Sequence, residues 1–285
     1  MKISTEFKSA AKIVGEERAV ELIAKAGFDA WDFSMDKMCN YDVDLGKVIE
    51  SSHSLAGSNY LAFARRLKQI GLDNGIVCSQ SHAPTPLYCD ATRSYYKRAI
   101  ECTREAGGEI CVIHPNNFKS AEENAEMYLE LLPFAKECGV KIATENMIAW
   151  SREKQRITVC ACATKEDFLA HLDAVNDDFF VACVDIGHAE ILGEDGVSAE
   201  SMIRAIGSRI KTLHIHDNDK RHDNHQIPFS MNIDYVPVIK ALKDVGYDGY
   251  ITLEAYKYLE AFNQDNIFEG IKNLAASAKK FAGMF

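Results

Sequence analysis

The chain has 285 residues, 47% hydrophobic and 26% charged, a balance that supports one large buried core and excludes an intrinsically disordered protein. Its formal net charge of −10 argues against a nucleic-acid partner, which would be repelled over most of the surface. No apolar run of about 7–15 residues follows the first lysine and no stretch approaches a membrane span, so a cytoplasmic protein acting on a small molecule is expected, with homo-oligomerisation left open.

In chain order, short β-rich runs alternate with longer runs of helical spacing. The expected strands are MKISTEF from Met1, DAWDFSM from Asp29, GIVCSQSHAP from Gly75 and EICVIHP from Glu109, then KIATENM from Lys141, FFVACVDIGHA from Phe179, RIKTLHIHDN from Arg209 and YITLEAY from Tyr250. Between them, ERAVELIAKAG, LAFARRLKQIG, YYKRAIECTREAG, NAEMYLELLPFAKECG and VPVIKALKDVGYDG repeat apolar residues three and four places apart, as a helix buried along one face requires. Gly27, Gly71, Gly107, Gly139 and Gly246 read as left-handed stops to these helices. Eight strand and helix pairs without a linker predict a (β/α)8 TIM barrel, one domain over residues 1–285. An open doubly wound sheet is the competitor, but no GxGxxG follows the first strand and there is no P-loop. The nine cysteines, Cys89 among them, form no CxxC pair, which fits a reducing compartment.

In such a barrel the chemistry sits at the C-terminal ends of the strands. The third expected strand ends in Ser81-His82, the fourth in His114-Pro115, the fifth in Glu145-Asn146, and the sixth in Asp185 with His188 just beyond. The seventh ends in His214, His216 and Asp217, with Asp223 and His225 in the loop after it, and the eighth carries Glu254. Two glutamates, an aspartate and an imidazole make an oxygen and nitrogen donor set suited to Mn²⁺, Mg²⁺, Co²⁺ or Zn²⁺. A lone carboxylate after an apolar strand costs several kcal/mol to bury unpaired, so Glu145, Asp185 and Glu254 call for a cation. Any single histidine here reads equally as a hydrogen-bonded structural residue, and the Asp223 to His225 loop as a solvated turn. His214 and His216 point the same way along a strand, and spacing alone does not choose between them.

The motifs ATENM, VDIGHAEILG, LHIHDNDKRHDNHQIPF followed by NIDY, and ITLEAY resemble the xylose-isomerase-like barrel superfamily, and the resemblance runs over nearly the whole chain. That superfamily holds sugar isomerases and epimerases, inosose dehydratases and zinc-dependent apurinic endonucleases. The motifs look most like the proteins called sugar phosphate isomerase/epimerase. The resemblance implies one divalent cation, Mn²⁺ first, held by Glu145, Asp185, His216 and Glu254, with His216 chosen as the second histidine of its His-x-His. It also implies that Glu145 and Glu254 act as acid and base on opposite faces of a sugar carbon and that His188 binds substrate. Arg221, His82 and His114 are assigned as further substrate contacts.

The endonuclease branch implies several metal ions instead, and its ligands have counterparts here in His82, His114, Glu145, Asp185, His188, His216, Asp223, His225 and Glu254. Asp223 and His225 are therefore candidate additional metal ligands. The chain departs from that branch at Ile186-Gly187, where the branch tends to carry Thr-Cys, and it offers DNDKR in place of basic DNA-binding loops. The expected activity is proton transfer at the carbon alpha to a carbonyl of a sugar or polyol. A metal-dependent dehydratase of a keto-sugar or inosose and a multi-zinc phosphodiesterase are the alternatives.

Overall fold

The computed structural model describes residues 1–42, 44–85 and 93–285, so that Cys89 lies outside the described residues. All eight expected strands form: β1 Ile3–Glu6, β2 Ala30–Ser34, β3 Val77–His82, β4 Ile110–Val112, β5 Lys141–Glu145, β6 Phe180–Asp185, β7 Ile210–His214 and β8 Ile251–Leu253. They pair in parallel in the order β7-β6-β5-β4-β3-β2-β1-β8. The ring closes between its two ends through a single parallel bridge, Ile215 to Leu253. There Ile215 N donates to Thr252 O at 3.0 Å and Glu254 N donates to Ile215 O at 2.9 Å. The protein is a (β/α)8 TIM barrel.

The described helices are α1 Lys8–Val14, α2 Glu16–Ala26, α3 Tyr60–Asp73, α4 Tyr96–Ala106, α5 Ala121–Cys138, α6 Lys165–Val175, α7 Ile186–Ile191, α8 Ala199–Ile206, α9 Tyr235–Asp244, α10 Tyr256–Leu259 and α11 Ile267–Gly283. Local chemistry fixes their ends. Ser120 and Glu123 form a reciprocal capping box that starts α5, Ser120 N donating to the Glu123 carboxylate at 2.8 Å and Glu123 N to Ser120 Oγ at 3.3 Å. Gly27, Gly107 and Gly139 end α2, α4 and α5 in the left-handed conformation, as expected. Gly71 does not: α3 continues to Asp73, and a Cβ at position 71 would stand 3.0 Å from Ile76 O and 3.2 Å from Trp31 Nε1. That glycine serves close approach rather than a turn.

Strand alternation divides the core in two. Outward-facing residues such as Trp31 and Phe33 pack with Phe7 between the barrel and its helices, ring centroids 5.3–5.6 Å apart. Inside the barrel lies a small apolar layer of Val112, Ala143, Val181 and Cys183. Two hairpins, Tyr41–Asp42 with Lys47–Val48 and Ile148–Ser151 with Arg156–Val159, were not expected from the strand pattern. Among the described residues every cysteine is free, and no helix is long and apolar enough to cross a membrane.

The C-terminal helix α11 covers the β1 and β8 side of the ring, where fully buried Phe281 stands edge-on to Tyr235 with ring centroids 5.3 Å apart. Phe281→Ala is expected to cost about 3–5 kcal/mol through lost burial and the cavity left behind. The shift of the urea unfolding midpoint, with the slope unchanged, measures it.

Candidate metal centre

The polar strand ends converge on one mouth of the barrel. Glu145 closes β5 and Asp185 closes β6, and the residue after Glu145 ties the two together. Asn146 accepts Asp185 N–H at 2.8 Å and donates its own amide to Asp185 O at 2.8 Å. Asp185 is also the N-cap of α7, its Oδ1 accepting His188 N–H at 2.8 Å. That bond places His188 over the mouth, where its Nδ1–H donates to Asn146 O at 3.0 Å. The next strand end is held by a different latch. Buried Asp217 accepts the backbone N–H of Asn218, Ser230, Met231 and Ile233 at 2.9–3.1 Å, which folds the loop after β7 back on itself.

Donor atoms within 4.8 Å of one another fall into adjoining groups, three of them built around Glu145 or the loop after β7. The first joins Glu145, Asp185, His214 and Glu254. The second joins His188, His216, Asp223 and His225, and the third joins His82, His114 and Glu145. Cys183 also comes within this range of Glu145 and His214. The resemblance selected His216 as the seventh-strand ligand, whereas the geometry groups His214 with the three carboxylates. His214 Nδ1 lies 3.1 Å from Glu145 Oε2 and 3.8 Å from Glu254 Oε2. His216 sits one step further out, its Nε2 3.2 Å from Asp185 Oδ1 and 3.7 Å from Asp223 Oδ1, so Asp185 stands between two groups. Its ring fits because residue 187 is glycine: a Cβ there would overlap the His216 imidazole.

Two histidines of the second group are oriented by backbone. His188 donates to Asn146 O, as above, and His225 Nδ1–H donates to Glu254 O at 2.7 Å, which turns both Nε2 atoms toward Asp223 at 3.9 and 3.0 Å. In the third group His82 Nε2 is 2.7 Å from His114 Nε2, which is 3.2 Å from Glu145 Oε2. Arg221 stays out: it is exposed on the loop, and its neighbour Lys220 pairs with Glu190 at 3.2 Å. Trp31 and Phe33 belong to the core, and Trp150 is 56% exposed.

The electrostatics favour a cation. Among the described residues no lysine or arginine pairs with Glu145, Asp185 or Glu254; their ion-pair partners are histidines. Burial raises the pKa of each carboxyl, yet His214 and His114 hold Glu145 well below the usual range, and His188 and His216 lower Asp185. Glu254 is lowered too, against burial, by His214 and His225. Burial works against a charge on His188, but Asp185 and Asp223 push its pKa up to about 9. His82 goes the other way, lowered to about 4 by burial and by His114. Several buried atoms here lack a hydrogen-bond partner: Glu145 Oε2, Asp185 Oδ2, His214 Nδ1, Asp223 Oδ1 and both ring nitrogens of His216. Buried polar atoms are rarely left so, and an oxygen and imidazole set of this kind fits a divalent ion.

A cavity of about 920 Å³ opens beside the donor groups, lined by Lys8, Asp36, His53 and Tyr256 among others. Tyr256 stacks on His225 with ring centroids 4.0 Å apart, and Lys8 Nζ lies 4.8 Å from the Tyr256 centroid. Sequence reading passed over Asn146, Asp217, Gly187 and Lys8. Only Asn146, inside the motif ATENM, carried a local signal.

The family described as Xylose isomerase-like TIM barrel matches residues 20–277, and the chain belongs to it. An uncharacterized protein of Methanocaldococcus jannaschii, MJ1311, is 27% identical over 271 residues, covering 88% of this chain and 83% of that one. A D-tagatose 3-epimerase-like protein is 21% identical with a TM-score of 0.70, covering 99% of each chain. A D-psicose 3-epimerase solved in the presence of D-fructose is 15% identical with a TM-score of 0.71, covering 99% of this chain and 100% of that one. At such identities the structural likeness establishes the shared fold.

Gly187→Ala is expected to drive the His216 ring out of its slot and to destabilise the protein by about 1–3 kcal/mol, the usual cost of overpacking. Urea unfolding measures the loss, and an unchanged midpoint would mean that the ring has room to move.

Proposed function

We propose that this member of the xylose isomerase-like TIM barrel family is a divalent-metal-dependent sugar isomerase or epimerase that moves a proton at the carbon alpha to a carbonyl. The reading rests on one observation above all: Glu145 and Glu254, on strand ends from different sides of the mouth, share a donor group with Asp185 and His214. The epimerase names of the structural neighbours support a sugar or polyol as the substrate class. Glu145, Asp185, His214 and Glu254 would hold the ion, Mn²⁺ by preference and Mg²⁺, Co²⁺ or Zn²⁺ otherwise. Bound there, it supplies Lewis-acid stabilisation of the negative charge that develops on the carbonyl oxygen.

The protein's own groups handle the proton. Glu145 and Glu254 both have lowered pKa values, so both are ionised near neutral pH and either can act as base. One takes the proton from the alpha carbon, and the other returns one to the opposite face. Glu254 is the more accessible, its side chain 13% exposed against 1% for Glu145, and it is the better placed to exchange its proton with solvent. His188, His82 and His114 ring the same space and serve to orient hydroxyls. The adjoining cavity falls in the range of about 300–1,000 Å³ typical of small-molecule sites.

A second reading is metal-assisted phosphodiester hydrolysis. The observation that favours it is the second and third donor groups, which flank the first and share Asp185 and Glu145 with it. Metal content separates the two: about one ion per chain supports the isomerase, whereas two or three zinc ions with nicking of abasic DNA support the hydrolase.

Incubation of the Mn²⁺-loaded protein with a panel of ketoses, inososes and keto-sugars in D₂O is expected to place deuterium at an alpha carbon of at least one of them. Glu254→Gln should lower that exchange by about 10²–10⁴-fold with the fold retained. A fully active Glu254→Gln variant would remove Glu254 as a base, and no exchange with any compound would overturn the isomerase reading.

A further inference from the structure

His82, His188 and His225 are oriented alike: each donates Nδ1–H to a backbone carbonyl, of Ala83, Asn146 and Glu254, at 2.9, 3.0 and 2.7 Å. Nε2 is left as the ligating end. His214 is reversed. Its Nδ1 faces the carboxylates of Glu145 and Glu254, and its Nε2 points down into the barrel, 3.4 Å from Asp32 Oδ2 and 3.0 Å from Gln80 Nε2.

Asp32 sits in the middle of β2, 2% exposed, on the face opposite Trp31 and Phe33. Gln80 Nε2 donates to Asp32 Oδ2 at 3.0 Å. The direction of the Gln80 amide is fixed from its other end, where the hydroxyls of Thr212 and Thr252 both donate to Oε1, Thr252 at 3.2 Å. Its nitrogen must therefore face Asp32 and His214.

Two groups thus compete for one atom. If His214 Nε2 carries no proton, it accepts from Gln80; the proton then sits on Nδ1, and the ring cannot ligate toward Glu145 and Glu254. If Nε2 carries the proton, it donates to Asp32, and Nδ1 keeps its lone pair for a cation. The carboxylate charge favours the second arrangement, and a neutral group in its place would favour the first.

We infer that Asp32 is a positioning residue that holds His214 in the Nε2–H tautomer and so sets the cation affinity of the group formed by Glu145, Asp185, His214 and Glu254. The inference rests on the metal-centre reading above. Ligating histidines commonly donate their other N–H to a carboxylate, and loss of such a partner typically costs about 10–100-fold in metal affinity.

The test is calorimetric titration with Mn²⁺ of the wild type, Asp32→Asn and Gln80→Leu, each checked for a cooperative thermal transition. It is joined to long-range ¹H–¹⁵N spectra of the His214 ring in the diamagnetic Zn²⁺-loaded protein. Asp32→Asn is expected to bind about 10–100-fold more weakly, with the Nδ1–H form appearing in the spectrum. Gln80→Leu removes the competing donor and is expected to match or exceed the wild-type affinity. Unchanged affinity in Asp32→Asn, or equal losses in both variants, would overturn the inference. So would a Nδ1–H signature in the loaded wild type, a readout that stands even if Asp32→Asn fails to fold. A wild type that binds no divalent cation sinks the metal-centre reading itself, whereas a wild type that binds alongside an unaffected Asp32→Asn sinks only the role of Asp32.

Discussion

The mouth of this barrel is organised by one electrostatic debt: Glu145, Asp185 and Glu254 are drawn together with no lysine or arginine paired to them among the described residues. Buried carboxylates need compensating charge. In the metal-free protein protonated imidazoles provide it, which is why His188, His214 and His216 all have raised pKa values while the carboxyls are lowered. A divalent ion entering the same space takes over that role and releases protons as it does so. Cation affinity and histidine protonation are therefore two views of the same balance.

Holding so many polar groups close without collapse demands fixed orientations, and backbone supplies most of them. Asn146 makes two hydrogen bonds to the Asp185 backbone and imitates a further rung of the sheet beyond the end of β5. Asp217 gathers four N–H groups and turns the loop after β7 into a rigid shelf for Asp223 and His225. These residues touch no donor group's centre, yet they determine where each donor points.

Much of this architecture was legible in the sequence because strand alternation and glycine stops are local signals. The eight β-rich runs each contain their strand, and the sorting of His, Asp and Glu to the strand ends anticipated the convergence at the mouth. Gly71 was misread because its helix end and its packing against Trp31 and Ile76 look the same in one dimension. The choice between His214 and His216 failed to resolve for a related reason. A period of two puts both on one face, but their heights along the barrel differ, and height decides which of them meets Glu145. Asp32 was visible as a charge inside AWDFS, but its partner lies on β7, across the barrel and far along the chain. Non-local pairing of this kind leaves no pattern in a single sequence.

The barrel's weakest join gives the mouth a further significance. Between β7 and β8 the ladder reduces to one bridge at Ile215, the residue between His214 and His216, and Glu254 N donates into that same bridge. Any ligand held jointly by His214 and Glu254 spans the gap like a staple. Its binding energy then counts toward keeping the ring shut, so that occupancy of the mouth and resistance to unfolding are thermodynamically linked.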